Sequence, residues 1–217
     1  MKRIVAVNGS PRGDFNTAQL VKEAARGAEA ENAEVALFNL YKLEKYLGCI
    51  SCFGCKTEKN RGKCIYNDGL TPVLDAIREA DGLIIGSPNY LSNISAGVRA
   101  LYERLIFQYI TYKTSPRSYN DRKIPVLFIM TSNAPKEIYE KMGYNNMISG
   151  YQNTLSDFIG NTKVLIADNT LQVKDYSRFD WSMFDIRAKK ERHESVFPNV
   201  MKNAFEIGSE MVKQPWV

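Results

Sequence analysis

The chain opens Met1-Lys2-Arg3-Ile4-Val5-Ala6-Val7-Asn8-Gly9-Ser10-Pro11-Arg12-Gly13-Asp14-Phe15-Asn16-Thr17-Ala18, and this stretch decides its fold class. The apolar run Ile4 to Val7 predicts a buried strand. It stops at Asn8-Gly9, a short polar loop follows, and a helical pattern begins at Ala18. Strand, small-residue loop, helix is how α/β proteins build an anion site, because the first N–H groups of a helix are unbonded and its dipole favours negative charge. The loop adds hydroxyls at Ser10 and Thr17, an amide at Asn16 and a cation at Arg12, the groups a phosphate monoester needs. It contains neither G-x-x-x-x-G-K-[ST] nor G-x-G-x-x-G, which disfavours a Walker-type loop and a dinucleotide-binding turn. The bland alternative is an ordinary strand–helix turn with Thr17 as N-cap.

Outward from this segment, helix and strand patterns alternate. Ala18, Val21, Ala24, Ala25 and Ala28 form a helical stripe, and Val35, Leu37 and Leu40 suggest a second strand. Thr71-Pro72 reads as a helix start, with Thr71 as N-cap and Pro72 at the first helical position. Leu83 to Ile85 is a third strand, followed by a loop, Gly86-Ser87-Pro88-Asn89-Tyr90. Val98, Leu101, Tyr102, Leu105, Ile106 and Tyr109 repeat at helical spacing. Ile124 to Met130 is a fourth strand, Thr131-Ser132-Asn133 a polar loop, residues 146–159 a helix, and Val164 to Ala167 a fifth strand.

Five strands with intervening helices predict a doubly wound, five-stranded parallel sheet with helices on both faces. Such sheets bind ligands beyond the carboxyl ends of their strands. In the order 2-1-3-4-5 the loops Gly9–Thr17, Ser87–Tyr90 and Thr131–Asn133 converge on one site. The chain is expected to form a single domain over residues 1–217, with a core at 1–168 and a C-terminal helical extension at 169–217. Residues 197–212 of the extension form a helix, packed on its own chain or on a partner.

The 217 residues carry a formal net charge of +5 with both signs interspersed, too mild and scattered for nucleic acid but suited to anionic small ligands. No apolar run is long enough to span a membrane, and no signal-peptide pattern precedes the first strand, which predicts a cytoplasmic protein. The single histidine, His193, lies in the charged run Lys189-Lys190-Glu191-Arg192-His193-Glu194, so histidine-dependent triads are disfavoured.

Cys49, Cys52, Cys55 and Cys64 fall close together in the pattern C-x2-C-x2-C-x8-C. Clustered cysteines in a reducing compartment point to metal or redox work rather than disulfides. Three cysteines at x2 intervals can wrap a corner of a [4Fe–4S] cubane, with the fourth ligand arriving from further along. Free, redox-sensitive thiols are the second reading. Tetrahedral zinc is the third, since zinc sites usually use two separated pairs.

Three segments together resemble the flavodoxin-like NAD(P)H-dependent FMN reductases, in the branch that includes the iron–sulfur flavoproteins. They are Gly9-Ser10-Pro11-Arg12 with Asn16-Thr17, the run Ser87 to Ala96 continuing to Leu101-Tyr102-Glu103-Arg104, and the cysteine cluster. The resemblance covers residues 1 to about 168. It implies that Ser10, Arg12, Asn16 and Thr17 hold the FMN phosphate, that Pro88, Asn89 and Tyr90 border the isoalloxazine ring, and that Thr131, Ser132 and Asn133 close the opposite edge. The final cysteine spacer is longer here than is typical of that branch.

The activity so implied is oxidoreduction: FMN takes reducing equivalents from NAD(P)H and passes them to a small acceptor such as a quinone or free flavin, with the cluster as a second carrier if present. The alternative is an electron-transfer protein, with FMN and with or without [4Fe–4S], acting between protein partners. The resemblance also implies a homodimer or homotetramer, for which Tyr109, Tyr112, Tyr119 and Trp181 are candidate surface aromatics.

Overall fold

A computed structural model describes residues 1–216. Five parallel strands form the main sheet: β1 (Arg3–Asn8), β2 (Glu34–Asn39), β3 (Gly82–Tyr90), β5 (Val126–Thr131) and β6 (Thr162–Ala167), in the order β2-β1-β3-β5-β6. This is the expected 2-1-3-4-5 arrangement. A sixth strand, the two-residue β4 (Asn93–Ile94), lies off this path and pairs antiparallel with the end of β3. Asn8 pairs with Gly86 and Pro88 with Thr131 in the sheet register, so the ends of β1, β3 and β5 arrive side by side.

The predicted loop 86–90 is instead the last part of β3. Asn89 and Tyr90 run past the main sheet and pair with Ile94 and Asn93. Leu91 and Ser92 turn this hairpin at φ of 51° and 64°. That pair of left-handed residues matches the twist of a tight hairpin and is usually supplied by Asn or Gly, so the sequence gives no signal for it.

Two apolar layers flank the sheet. On one face, α2 (Thr71–Glu79), α3 (Ala96–Phe107) and α4 (Tyr144–Phe158) cover Val5, Val7, Leu83, Ile85, Val126 and Phe128. On the other, α1 (Asn16–Glu29) and α6 (Phe197–Lys213) cover Ile4, Ala6, Ile84, Leu127 and Ile129. The alternation along each strand puts successive side chains in opposite layers, and both layers are apolar because the sheet is buried on both sides. The helix α6 therefore packs on its own chain. Gly27 and Gly208 allow this close approach: a Cβ on Gly208 would stand 1.9 Å from the Ala24 carbonyl oxygen, and one on Gly27 the same distance from that of Phe205.

Helix starts differ in detail from expectation. Thr71 is the first residue of α2 rather than its cap; its hydroxyl accepts from the Asp68 N–H, and the Asp68 carboxylate accepts from the Leu70 N–H at 2.9 Å. Helix α5 (Ile186–Ser195) carries no apolar period and is held at its start by Asp185, which accepts from the Ala188 N–H at 2.9 Å. His193 lies on α5, half-buried and stacked on Phe197 with ring centroids 4.9 Å apart.

Candidate functional site

The first loop is shaped by Asn8. Its Oδ1 accepts from the Ser10 N–H at 3.0 Å, and its Nδ2 donates to Asn39 Oδ1 at 2.9 Å. Gly9 is wedged against β3: its N–H donates to the Gly86 carbonyl at 2.9 Å, and a Cβ there would meet Val98 Cγ2 at 1.9 Å. Ser95, the N-cap of α3, donates from Oγ to the Gly9 carbonyl at 2.6 Å and accepts from the Val98 N–H. The loop is thus bolted to both neighbouring elements.

Helix α1 begins at Asn16, behind Phe15, with no side-chain cap. Its first i→i−4 bond runs from the Gln19 N–H to the Phe15 carbonyl, so the N–H groups of Asn16, Thr17 and Ala18 precede the helical ladder, the arrangement from which a helix N-terminus can bind an anion. Thr17 Oγ1 is 2.7 Å from Thr131 Oγ1 at the end of β5.

These groups open onto one pocket. Ser10, Arg12, Asn16, Thr17, Pro88, Asn89, Tyr90, Thr131 and Asn133 all line it, so nine of the ten residues singled out in the sequence for this site are brought together. Ser132 is the exception. It is a buried brace: its N–H donates to the Ala167 carbonyl, its carbonyl accepts from the Thr170 N–H, both at 2.9 Å, and its Oγ accepts from the Ala134 N–H at 3.0 Å.

Sequence reasoning missed Thr170, Leu171 and Gln172, which complete the wall. Arg12 Nη1 donates to the Gln172 carbonyl at 2.5 Å, and Asn16 Nδ2 to the Leu171 carbonyl at 2.8 Å. The signal was available: this polar segment follows the carboxyl end of the last strand, where the other site loops also lie. Lys189 on α5 holds it in place, donating to Asn133 O at 3.1 Å, Asn169 Oδ1 at 2.6 Å and Thr170 O at 3.3 Å. Burial, with Arg192 adding to it, lowers the Lys189 ammonium to about 8.

The pocket is electropositive. Arg12 is its one charged lining residue among those described, stacked over Phe15 at 4.0 Å. Burial pushes the Tyr90 phenol up, against the pull of Arg12. Both amide atoms of Asn89 and the Oδ1 of Asn133 are buried without a partner. Buried polar atoms are rarely left unmatched, so a donor, Asn89 Nδ2, and two acceptors, the Oδ1 atoms of Asn89 and Asn133, waiting in one pocket mark a polar ligand edge.

The four cysteines line a second pocket, between residues 48–66 and the C-terminal half of α3. All are free; Cys55 is buried and Cys52 exposed. Burial raises the Cys55 thiol, opposed by the neighbouring Lys56 ammonium. Lys56 Nζ donates to the carbonyls of Phe107, Gln108 and Ile110. Arg104, only 2% exposed, donates from Nη1 to Asp68 Oδ1 and from Nη2 to the Tyr66 carbonyl, each at 2.5 Å. Gln108 Oε1 accepts from the Cys64 N–H at 3.0 Å. Arg104 Nε and Gln108 Nε2 are buried and have no partner. Among the described residues no three cysteine, histidine or carboxylate side chains converge as a single metal ion requires. The thiols surround a space lined by unmatched N–H donors, a donor set suited to a larger anionic sulfur group.

The strand order and the pocket at the strand carboxyl ends define a flavodoxin-like α/β protein. The chain belongs to the NADPH-dependent FMN reductase family, whose model matches residues 2–137. An iron–sulfur flavoprotein of Methanocaldococcus jannaschii is 36% identical over 102 residues, covering 47% of this chain and 51% of the relative. The chain spans about half the length of the curated relatives it matches. Among solved structures, an NAD(P)H:quinone oxidoreductase from Methanothermobacter marburgensis superposes with a TM-score of 0.63 at 12% identity, covering 96% of this chain and 95% of the other. An FMN-dependent NADH-azoreductase from Bacillus anthracis, solved in complex with FMN, gives 0.63 at 15% identity, covering 97% and 99%. At these identities the two structures establish the fold alone.

Proposed function

We propose that this chain binds FMN in the pocket at the strand ends and acts as an oxidoreductase, accepting reducing equivalents from NAD(P)H and delivering them to a small acceptor such as a quinone or flavin. The observation that carries the reading is the pairing, in one pocket, of an uncapped helix N-terminus beside Arg12 with the unmatched amides of Asn89 and Asn133. A phosphate suits the first and the polar edge of a flavin ring the second.

Ser10, Arg12, Asn16 and Thr17 hold the phosphate, with the first amides of α1. Pro88, Asn89 and Tyr90 stand along one side of the ring, and Thr131 and Asn133 along the other. FMN, when bound, supplies the electron chemistry; the protein fixes its position, polarity and exposure to water. Because Leu171 and Gln172 wall the pocket, the core and the C-terminal extension work as one domain.

The cysteine pocket is read as the seat of a [4Fe–4S] cluster on Cys49, Cys52, Cys55 and Cys64. Each iron of a cubane takes one thiolate, so its ligands surround the group rather than meet at a point. The names of the sequence relatives support this reading, as do the cationic wall and the unmatched donors.

A homodimer or homotetramer is proposed as the working form. Tyr41, Leu47, Ile50, Phe53, Tyr90 and Leu91 are all exposed around the two pockets, Leu91 fully, and such apolar surface is characteristic of interfaces. Tyr109 is core in its own chain, whereas Tyr112 and Trp181 remain exposed. No described helix is long and apolar enough to cross a membrane. The free thiols favour a reducing, cytoplasmic setting.

The test is an absorption spectrum of anaerobically purified protein before and after NADPH or NADH, with iron and sulfide assayed on the same sample and mass measured by light scattering. Flavin bands that bleach with nucleotide alone support the reductase. Flavin that bleaches only with a partner reductase supports the electron carrier instead. Failure to take up FMN overturns the central reading.

A further inference from the structure

Arg104 and Gln108 sit one helical turn apart, at the C-terminal end of α3 and just past it, and both line the cysteine pocket. Each is almost wholly enclosed, at 2% and 1% exposed. Each also has a structural task that uses only part of its hydrogen-bonding capacity. Arg104 spends Nη1 on Asp68 and Nη2 on the Tyr66 carbonyl, tying residues 66–68 to α3. Gln108 spends Oε1 on the Cys64 N–H. What remains in each case is a donor, Nε–H on Arg104 and Nε2–H on Gln108, and both are buried without an acceptor.

An unmatched buried N–H costs more than the hydrogen bond it forgoes, so two in one small pocket are not incidental. Neither serves the fold. Nothing in the flavin pocket reaches them, because the two pockets share no lining residue. The Lys56 ammonium, beside Cys55 but outside the pocket lining, is already engaged by three backbone carbonyls, so it contributes charge rather than a free donor. The pocket thus offers four sulfur ligands, one lining cation with a second beside Cys55, and two unmatched donors to whatever occupies it.

We infer that Arg104 Nε–H and Gln108 Nε2–H donate hydrogen bonds to the sulfur atoms of a cluster held by Cys49, Cys52, Cys55 and Cys64, as positioning residues that raise its reduction potential. The inference rests on the cluster reading above. Its physical basis is that reduction adds negative charge to the sulfurs, and donors aimed at them stabilise the reduced state more than the oxidised one.

The experiment uses the full chain, reconstituted anaerobically with ferrous iron and sulfide, in wild type, Gln108→Glu and Gln108→Met. The first variant keeps an acceptor for the Cys64 N–H and replaces the donor; the second removes the donor without adding charge. Arg104→Lys is made in parallel, keeping the positive charge but losing Nε. Circular dichroism and FMN content verify the fold of each. EPR-monitored titration is expected to show the cluster potential shifted down in both Gln108 variants and in Arg104→Lys, with the flavin potential unmoved. A shift in Gln108→Glu alone is a charge effect and overturns the donor role, as do unchanged potentials throughout. Wild type that takes up FMN but no iron or sulfide overturns the cluster reading, and this inference with it.

Discussion

Thr17 and Thr131 share a hydrogen bond, Oγ1 to Oγ1 at 2.7 Å, that joins the first turn of α1 to the end of β5. Both residues are buried and line the pocket at the strand ends. A hydroxyl can accept from one neighbour while donating to another, so in the proposed FMN complex a Thr131 O–H donated to Thr17 Oγ1 would leave the Thr17 O–H for the phosphate. Thr131→Val leaves the shape nearly intact and the Thr17 hydroxyl unmatched. The expected loss is about 1–2 kcal/mol of FMN binding, or roughly tenfold in Kd, measured by titrating the apoprotein with FMN.

Arg12 and Asn89 should separate the two ends of the ligand. Arg12→Ala removes the one charged lining group among the described residues, and a charge-assisted bond is worth about 1.5–3 kcal/mol. FMN affinity should fall at least tenfold, while riboflavin, which lacks the phosphate, should bind nearly as before. Asn89→Ala should weaken FMN and riboflavin by the same factor. Equal effects of Arg12→Ala on the two ligands would place the phosphate elsewhere.

Lys189 makes stability depend on pH in a defined window. Its ammonium is lowered from 10.5 in the unfolded chain to about 8 when folded, by burial and then by Arg192. Between these values the unfolded chain binds the proton and the folded chain does not, so the Lys189 contribution to stability rises with pH across the window. Below about pH 8 the cost of burying the charge is constant. Urea unfolding of wild type between pH 8 and 10 should therefore gain stability relative to Lys189→Met, and the difference should be flat from pH 6 to 7.5. At neutral pH the same variant strands the Asn133, Asn169 and Thr170 acceptors and should retain FMN less well.

Gly208 is a packing residue. Gly208→Val forces a side chain into the Ala24 carbonyl, so α6 must lift off α1. Overpacking of this kind costs about 1–3 kcal/mol, and backbone against backbone belongs at the upper end. The midpoint of denaturant unfolding should fall, with loss of FMN retention following as α1, whose first turn lines the pocket, loses its cover. An unchanged midpoint would mean that α6 does not pack against α1 in solution.

The sheet was legible because its strands are short, continuously apolar runs separated by helical periods, and parallel order follows from that alternation. The site was legible where polar loops follow such runs, as at Ser10 to Thr17. It failed at Ser132, which has the composition of a site residue but turns inward to hold Ala167 and Thr170. It failed also at Leu171 and Gln172, whose contribution is made by backbone carbonyls, and a carbonyl leaves no mark on residue identity.

The sequence by itself determined the alternation of strands and helices, the polar loop that leads into α1, and the grouping of four cysteines. These are local properties, written in periodicity and spacing. Only the tertiary structure decided that α6 covers α1 of its own chain, that Lys189 holds the far wall of the pocket, and that Arg104 and Gln108 each keep an unmatched buried donor in the cysteine pocket. Each depends on which atoms remain unmatched once distant segments have packed, and that is settled by the folded geometry rather than by neighbours along the chain.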